Sequence, residues 1–453
     1  MKKLSDSILF LSNKRARKIK KRRDRYQKKY KRFINHQKSK NPNLTLNIYR
    51  SEIIDLLAEQ RCGGRLSNQK GKKDFILKRP INYAFSTDPR DALCPIFDLA
   101  WHIRNYECKS LFHDHSEVKE IDLSSEVVMR YILSEIDNEY ASQGKQIHHH
   151  GRVSNRKDKK TIRINKLIRG VGTIRQLASS SAQLSSSEQA ALEVFYKTNY
   201  PETEIATSGA TTHKERSAVQ FTDHINKCLN RVGWRLNRLA RKRLSDYTAE
   251  ITDNIWEHSG QNNWFIAGYL DTDYEPKRCE ITICNFGLSM AETFLKLPPN
   301  HYSWNKVSRY IEMHKHRSLF CSDWRQEDLL TLLALQGSIS SKNIDELDSR
   351  GNGTLDLLGF FQKMSDECSE YCQDGNGNRP KMFVLSGSTH ILIDGRYTLN
   401  FLSPKSVNAF NKDNDLLKRP DYDLVTPLHK FHFPGTIVGI EFPLVDASLE
   451  SSG

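Results

Sequence analysis

A chain of 453 residues, 38% hydrophobic and 27% charged, is long enough for two or three domains with cores of their own, which excludes a fold that needs disulfide or metal staples. The formal charge of +15 is concentrated: residues 14–32 hold 13 Lys or Arg against the single acid Asp24, a net +12, so the rest of the chain is close to balance. There is no run of about 18 apolar residues and no apolar stretch after Met1-Lys2-Lys3, so neither a membrane span nor a signal peptide is expected, and the location that follows is cytoplasmic with no membrane partner. Nine cysteines without a CxxC read as reduced, mostly structural thiols.

Residues 1–45 form a basic arm, expected to be partly disordered because like charges at this density repel. Tyr26, Tyr30 and Phe33 recur at helical spacing within it, and Lys14 to Arg32 are candidates for contact with nucleic-acid phosphates. Residues 46–178 read as a mixed α/β domain. In Val118–Gly144, VKEIDLSSEVVMRYILSEIDNEYASQG, a short strand and turn precede a helix with Val127, Val128, Tyr131, Ile132 and Ile136 on one stripe, which a packed core explains. This segment resembles the STAS-like unit found before ATP-binding domains in some bacterial proteins. His113, His115 and His148 to His150 lack a Cys or acid at ligand spacing, and adjacent histidines in regular structure cannot all face one ion, so packing is the better reading of them. GRVSNRKDKKTIR is a polar basic loop that adds a second surface for phosphates. The Ser-rich stretch 179–190 is expected to be a linker, 191–447 the second main domain, and 448–453 a disordered tail.

Within 191–447 the segment LSDYTAEITDNIWEHSG places Glu250, Asn254 and His258 four residues apart on one helical face, with Asp253 and Glu257 beside them. A strand ITIC then leads into Asn285-Phe286-Gly287-Leu288-Ser289. Farther on, Arg350, Gly351, Asn352 and Gly353 precede an apolar helix, whose free backbone N–H groups suit phosphates. Last, FHFPGTIVGIEFPL alternates Val438, Ile440 and Phe442 with Ile437, Gly439 and Glu441 as a sheet strand.

In this order the four elements resemble the motifs of the GHKL ATPases, the group of gyrase, heat-shock chaperones, histidine kinases and MutL. The resemblance implies an α/β fold whose C-terminal part is a two-layer α/β sandwich of the Bergerat type, preceded by the smaller mixed α/β domain and the arm. It implies ATP and Mg²⁺ as cofactors, with Asn254 on the metal and Glu250 as general base. Asn285, Gly287, Ser289 and Thr436 then fall at the adenine, and Arg350, Gly351 and Gly353 at the phosphates. Asn285 and Ser289 stand where the family carries Asp and a second Gly, so the adenine bond would lack a charge behind it. The implied activity is a slow ATPase whose lid closure regulates a protein partner or a nucleic-acid contact, with ATP-dependent homodimerisation as in relatives of this type. The alternatives are a partner-switching serine protein kinase and a non-catalytic nucleic-acid-binding module with a degenerate nucleotide site. No His with the Glu and Thr-Pro context of a histidine-kinase phosphoacceptor is found, and His224 reads as a core or surface residue.

Overall fold

The computed structural model describes residues 49–60, 73–174, 176–177, 194–198, 213–259, 263–272, 277–336, 339, 358–359, 361–363, 365–366, 380–398, 407–444 and 448–452; the side chains of 213–215, 247, 250–251 and 253–259 lie outside it. The chain divides into two units, residues 1–50 with 137–146 and residues 51–136 with 147–453. In the first, the described contacts join Tyr49 to Ser142 through their backbone and hydroxyl groups, at 3.0 and 3.3 Å. Everything below concerns the second.

Its N-terminal part is built from repeated strand-helix steps. Strands β1 (Asp74–Lys78), β3 (Ser110–Asp114), β5 (His148–Arg152) and β6 (Gln176–Leu177) form a parallel sheet in that order. The crossovers carry α2 (Pro89–Asn105), α3 (Leu123–Ser142) and α4 (Lys159–Val171); α1 (Glu52–Ala58) precedes them, and β2 (Asn82–Tyr83) pairs with β4 (Glu120–Ile121). Local chemistry starts and stops these helices. Asp88 and Asp158 cap α2 and α4 through their carboxylates, Pro89 occupies the first turn of α2, and Gly172 ends α4 in the left-handed region. On β1 the alternation buries Phe75 and Leu77 and exposes Asp74, Ile76 and Lys78.

The C-terminal part is an antiparallel sheet of seven strands, in the order β13 (Val425–Pro427), β12 (Thr389–Ile393), β11 (Lys381–Gly387), β14 (Phe433–Pro443), β10 (Arg278–Phe286), β9 (Trp264–Asp271) and β7 (Phe195–Thr198). Both faces of its centre are covered, which is why β9 and all but the first residue of β10 are buried along their length. On one face Cys279, Ile281, Ile283, Val438 and Ile440 share a core with Phe221, Ile225 and Leu229 of α5 (His213–Asn230) and Leu244 of α6 (Arg238–Ser259). The same core takes in α7 (Met290–Leu295), α8 (Tyr302–His316) and α9 (Gln326–Ala334).

The other face meets the N-terminal part. The Tyr131 ring stacks on Phe265 and Phe286 at 5.3 and 5.0 Å between centroids. Ser124 Oγ lies 2.8 Å from Thr282 Oγ1, Glu280 accepts from Leu123 N and Arg163, and Lys166 pairs with Asp271. The stripe expected on α3 is therefore core on more than one side, since Met129 and Leu133 are buried along with it. A short ribbon of β8 (Trp234–Leu236) and β15 (Leu449–Ser451) completes the unit.

The molecule is thus mixed α/β, with parallel and antiparallel sheets. One expectation is corrected: Cys94, in α2, is disulfide-bonded rather than a reduced thiol. Sequence spacing carries no record of which sulfur the fold brings alongside. The other described cysteines, Cys108, Cys228, Cys279, Cys284 and Cys321, are free thiols.

Candidate functional site

The strand expected to end at Asn285 is β10, and alternation from Ile281 and Ile283 puts Asn285 on the helix-covered face. Antiparallel register sets Asn285 opposite Thr436 of β14, and Ser386 of β11 opposite Thr436 on its other side. Three adjacent strands therefore end in polar side chains on one face. All three residues are buried.

The row is linked by hydrogen bonds. Asn285 Oδ1 accepts from Thr436 N at 2.8 Å, Thr436 Oγ1 meets Ser386 Oγ at 2.8 Å, and Ser386 Oγ accepts from Met290 N at 2.8 Å. Gly435 makes the first bond reachable: its φ is +134°, and a Cβ there would collide with the Asn285 carbonyl. Gly287, at φ +143°, donates to Pro434 O at 3.1 Å and turns the chain towards α7. Ser289 caps α7 in a reciprocal box with Glu292, so its hydroxyl has a structural partner already.

Beyond this row lies a charged cluster that the sequence did not announce. Ser388 N donates to Glu327 Oε1 at 2.9 Å, Ser388 Oγ is 3.1 Å from His432 Nδ1, and the two His432 ring nitrogens lie 3.6 Å from Glu327 and Glu292. Burial pushes the Glu327 carboxyl up, but the His432 contact and the Ser388 amide outweigh it and hold it at about 2. Asp328 is clamped by Arg325 and accepts from Thr389. Ser386 and Ser388 flank Gly387 in a segment that reads only as a turn, which is why neither was singled out.

Of the residues expected at a site, the fold brings together Asn285, Gly287, Ser289 and Thr436. Helix α6, which carries Glu250 and Asn254, packs against β10, β14 and α7, while those two side chains lie outside the described residues. Arg350, Gly351 and Gly353, and the basic arm from Lys14 to Arg32, also lie outside them.

His113 and His115 belong to a second buried cluster at the carboxyl ends of β1 and β3. Arg79 is fully buried with its guanidinium 3.9 Å from Glu126 and 5.1 Å from the Tyr83 ring, and none of its three guanidinium nitrogens has a hydrogen-bond acceptor. Glu126 accepts from Thr173 and meets His115 Nε2 at 3.3 Å; His113 Nε2 meets His149 Nδ1 at 3.2 Å. Burial drives His113 and His115 below the ordinary histidine range, Arg79 adding to the effect and Glu126 opposing it at His115. Among the described residues no three His, Cys, Asp or Glu side chains are placed to share a metal ion. No helix among them is long and apolar enough to cross a membrane.

Comparison of this chain with protein-family models, characterised proteins and solved structures returns no match.

Proposed function

We propose that the region from about residue 191 onward is a GHKL-type domain of the Bergerat fold that binds ATP with Mg²⁺ and hydrolyses it slowly, and that nucleotide binding governs how a protein or nucleic-acid partner is held. The observation that carries this reading is the bond between Asn285 and Thr436. The two residues that the resemblance assigns to adenine are 151 positions apart and meet across neighbouring strands. The packing of α6 over the same two strands supports it, because that helix bears Glu250 and Asn254.

The chemistry of Asn285 suits the amino group of a purine. A carbonyl oxygen has two acceptor lone pairs, so the bond from Thr436 N leaves Asn285 chemically able to serve a second donor. Gly287 puts no Cβ at the turn beside it. ATP with Mg²⁺ would supply the phosphoanhydride and a Lewis acid for its charge. On this chain Asn254 would hold the ion through its amide oxygen, and Glu250 would orient a water and take its proton. Arg350 and the backbone at Gly351 and Gly353 would receive the phosphates. Gly287, Ser289 and Thr436 would hold the base with Asn285.

Thermal melting of the full chain with ATP, with and without Mg²⁺, tests the reading. A Mg²⁺-dependent rise is expected. Asn254→Ala and Asn285→Leu should abolish it and Asn285→Asp should preserve it; no rise in the parent protein overturns the proposal. Glu250→Gln should keep the rise and slow single-turnover hydrolysis by about a hundred- to ten-thousand-fold. With γ-labelled ATP, label on protein in place of released phosphate would point to a serine kinase, and neither product to a binding module.

A further inference from the structure

Residues 231–243 run from the end of α5 through the first turns of α6 and carry six cations, Arg231, Arg235, Arg238, Arg241, Lys242 and Arg243, with no acid among them. All but Arg243 are exposed. Arg238, Arg241 and Lys242 stand in the first turns of α6, which holds no acid there. That is the positive end of the helix dipole, where cations oppose helix formation and carboxylates favour it. The arrangement works against the helix that bears it, and a polyanion laid across it would reverse the sign of that term.

The segment is fixed in place. Asn237 Oδ1 accepts from Ala240 N at 2.9 Å at the start of α6, Leu236 N donates to Asn226 Oδ1 at 2.9 Å, and β8 is paired along its length with β15. On this frame three apolar side chains face solvent: Val232 at 40%, Trp234 at 39% and Leu239 at 57% exposure. An exposed indole in a segment that carries five arginines offers a stacking platform together with phosphate ligands, the combination by which proteins hold unpaired bases.

We propose that this surface binds a single-stranded polynucleotide, its phosphates on the arginines and a base stacked on Trp234. Three observations favour that occupant. Five of the six cations are arginine, whose planar fork matches phosphate oxygens in pairs. An indole that is 39% exposed is seated on the protein rather than projecting from it, which suits a base better than an acyl layer. Two half-exposed carboxylates, Glu450 on Arg235 and Asp223 on Arg241, interrupt the patch; a flat anionic bilayer would be pressed onto both, whereas a narrow strand can pass between them. A duplex presents no unstacked base to the indole. The surface stands independently of the nucleotide reading.

The test is fluorescence anisotropy of a labelled oligouridine of about 15 nucleotides against the full chain, with the basic arm present in every variant so that its contribution cancels. Arg238→Glu with Lys242→Glu, which places acids where the helix favours them, should weaken binding by about ten-fold or more and flatten the dependence of log K on log salt by roughly 1.4. Trp234→Ala should weaken it by about ten-fold, and Trp234→Phe should restore most of the loss. Trp234→Ala at parental affinity overturns the proposal, as does duplex DNA that competes as well as the single strand. Loss of binding to phosphatidylserine vesicles in the same variants, with oligouridine binding unchanged, overturns it in favour of a lipid surface. Unchanged melting temperatures in the variants tie any loss to the surface itself.

Discussion

The four-stranded parallel sheet and the seven-stranded antiparallel sheet bury polar groups at their strand ends in opposite ways. At the end of the antiparallel sheet, Asn285, Thr436 and Ser386 are neutral and bonded to one another and to Met290 N. At the end of the parallel sheet, Arg79 and Glu126 are charged, buried and joined only at 3.9 Å, with the guanidinium donors unmet. A satisfied neutral row costs little to bury and fixes strand register. A buried charge with unmet donors costs several kcal/mol to desolvate, so its retention depends on the opposite charge beside it. The first arrangement tolerates the loss of one member, and the second does not.

Removing the counter-charge is the severest way to break this comparison. Glu126→Ala leaves Arg79 buried opposite no carboxylate and strips Thr173 and His115 of their partner, so urea denaturation should show a loss of about 3–5 kcal/mol. Replacing both charges, as in Arg79→Met with Glu126→Leu, should recover most of it, because the desolvation cost disappears with the pair. A single variant within about 1 kcal/mol of the parent would mean that water reaches the guanidinium and that the two sheets do not differ as described.

A pH series sharpens the same contrast inside the N-terminal part. Asp122 accepts from Ser86 N and Ser125 N, both of which favour its carboxylate, yet burial prevails and raises it to about 6. A carboxyl raised above its ordinary value stabilises the fold while protonated. The contribution is complete below the ordinary range near 3.8 and is lost as pH climbs through about 6. Stability of the parent relative to Asp122→Asn should therefore fall by on the order of 3 kcal/mol between about pH 4 and about pH 8. Parallel curves for the two proteins would show that Asp122 is ionised in the fold throughout.

Elements with a local signature were readable in advance. The stripe from Val127 to Ile136 gave α3, the alternation around Ile281 gave β10, and that from Val438 to Phe442 gave β14, because hydrophobic period is written within ten residues or so of chain. Pairing is not written locally. Nothing near Asn285 names Thr436 as its neighbour, and the Ser-rich stretch conceals that α3, on its N-terminal side, packs on the sheet formed beyond it. Arg79 in LKRPIN reads as any surface cation, since burial of a charge leaves no mark in composition. The basic segment 231–243 shows its charge in the sequence, but the exposure of Trp234 becomes visible only with β8 and β15 in place.

The mildest test removes one hydroxyl from the neutral row. Thr436→Val keeps the shape and the methyl group and deletes Oγ1, the atom 2.8 Å from Ser386 Oγ. The backbone N–H that Asn285 accepts is untouched, and Ser386 keeps Met290 N as donor and the Gly435 carbonyl, 3.4 Å away, as acceptor. No buried group is then left without a partner, so the cost should stay at about 0.5–1.5 kcal/mol, the net worth of one hydrogen bond. Stability and ATP binding measured on one preparation separate two roles for this hydroxyl. If it only joins strands, melting shifts slightly and the ATP-induced rise keeps its size. If it also serves the base, as the proposed function holds, the rise shrinks by more than the change in melting explains. A loss of stability near that of Glu126→Ala would mean that the row is held as tightly as the charged cluster, and the contrast between the sheets would fail.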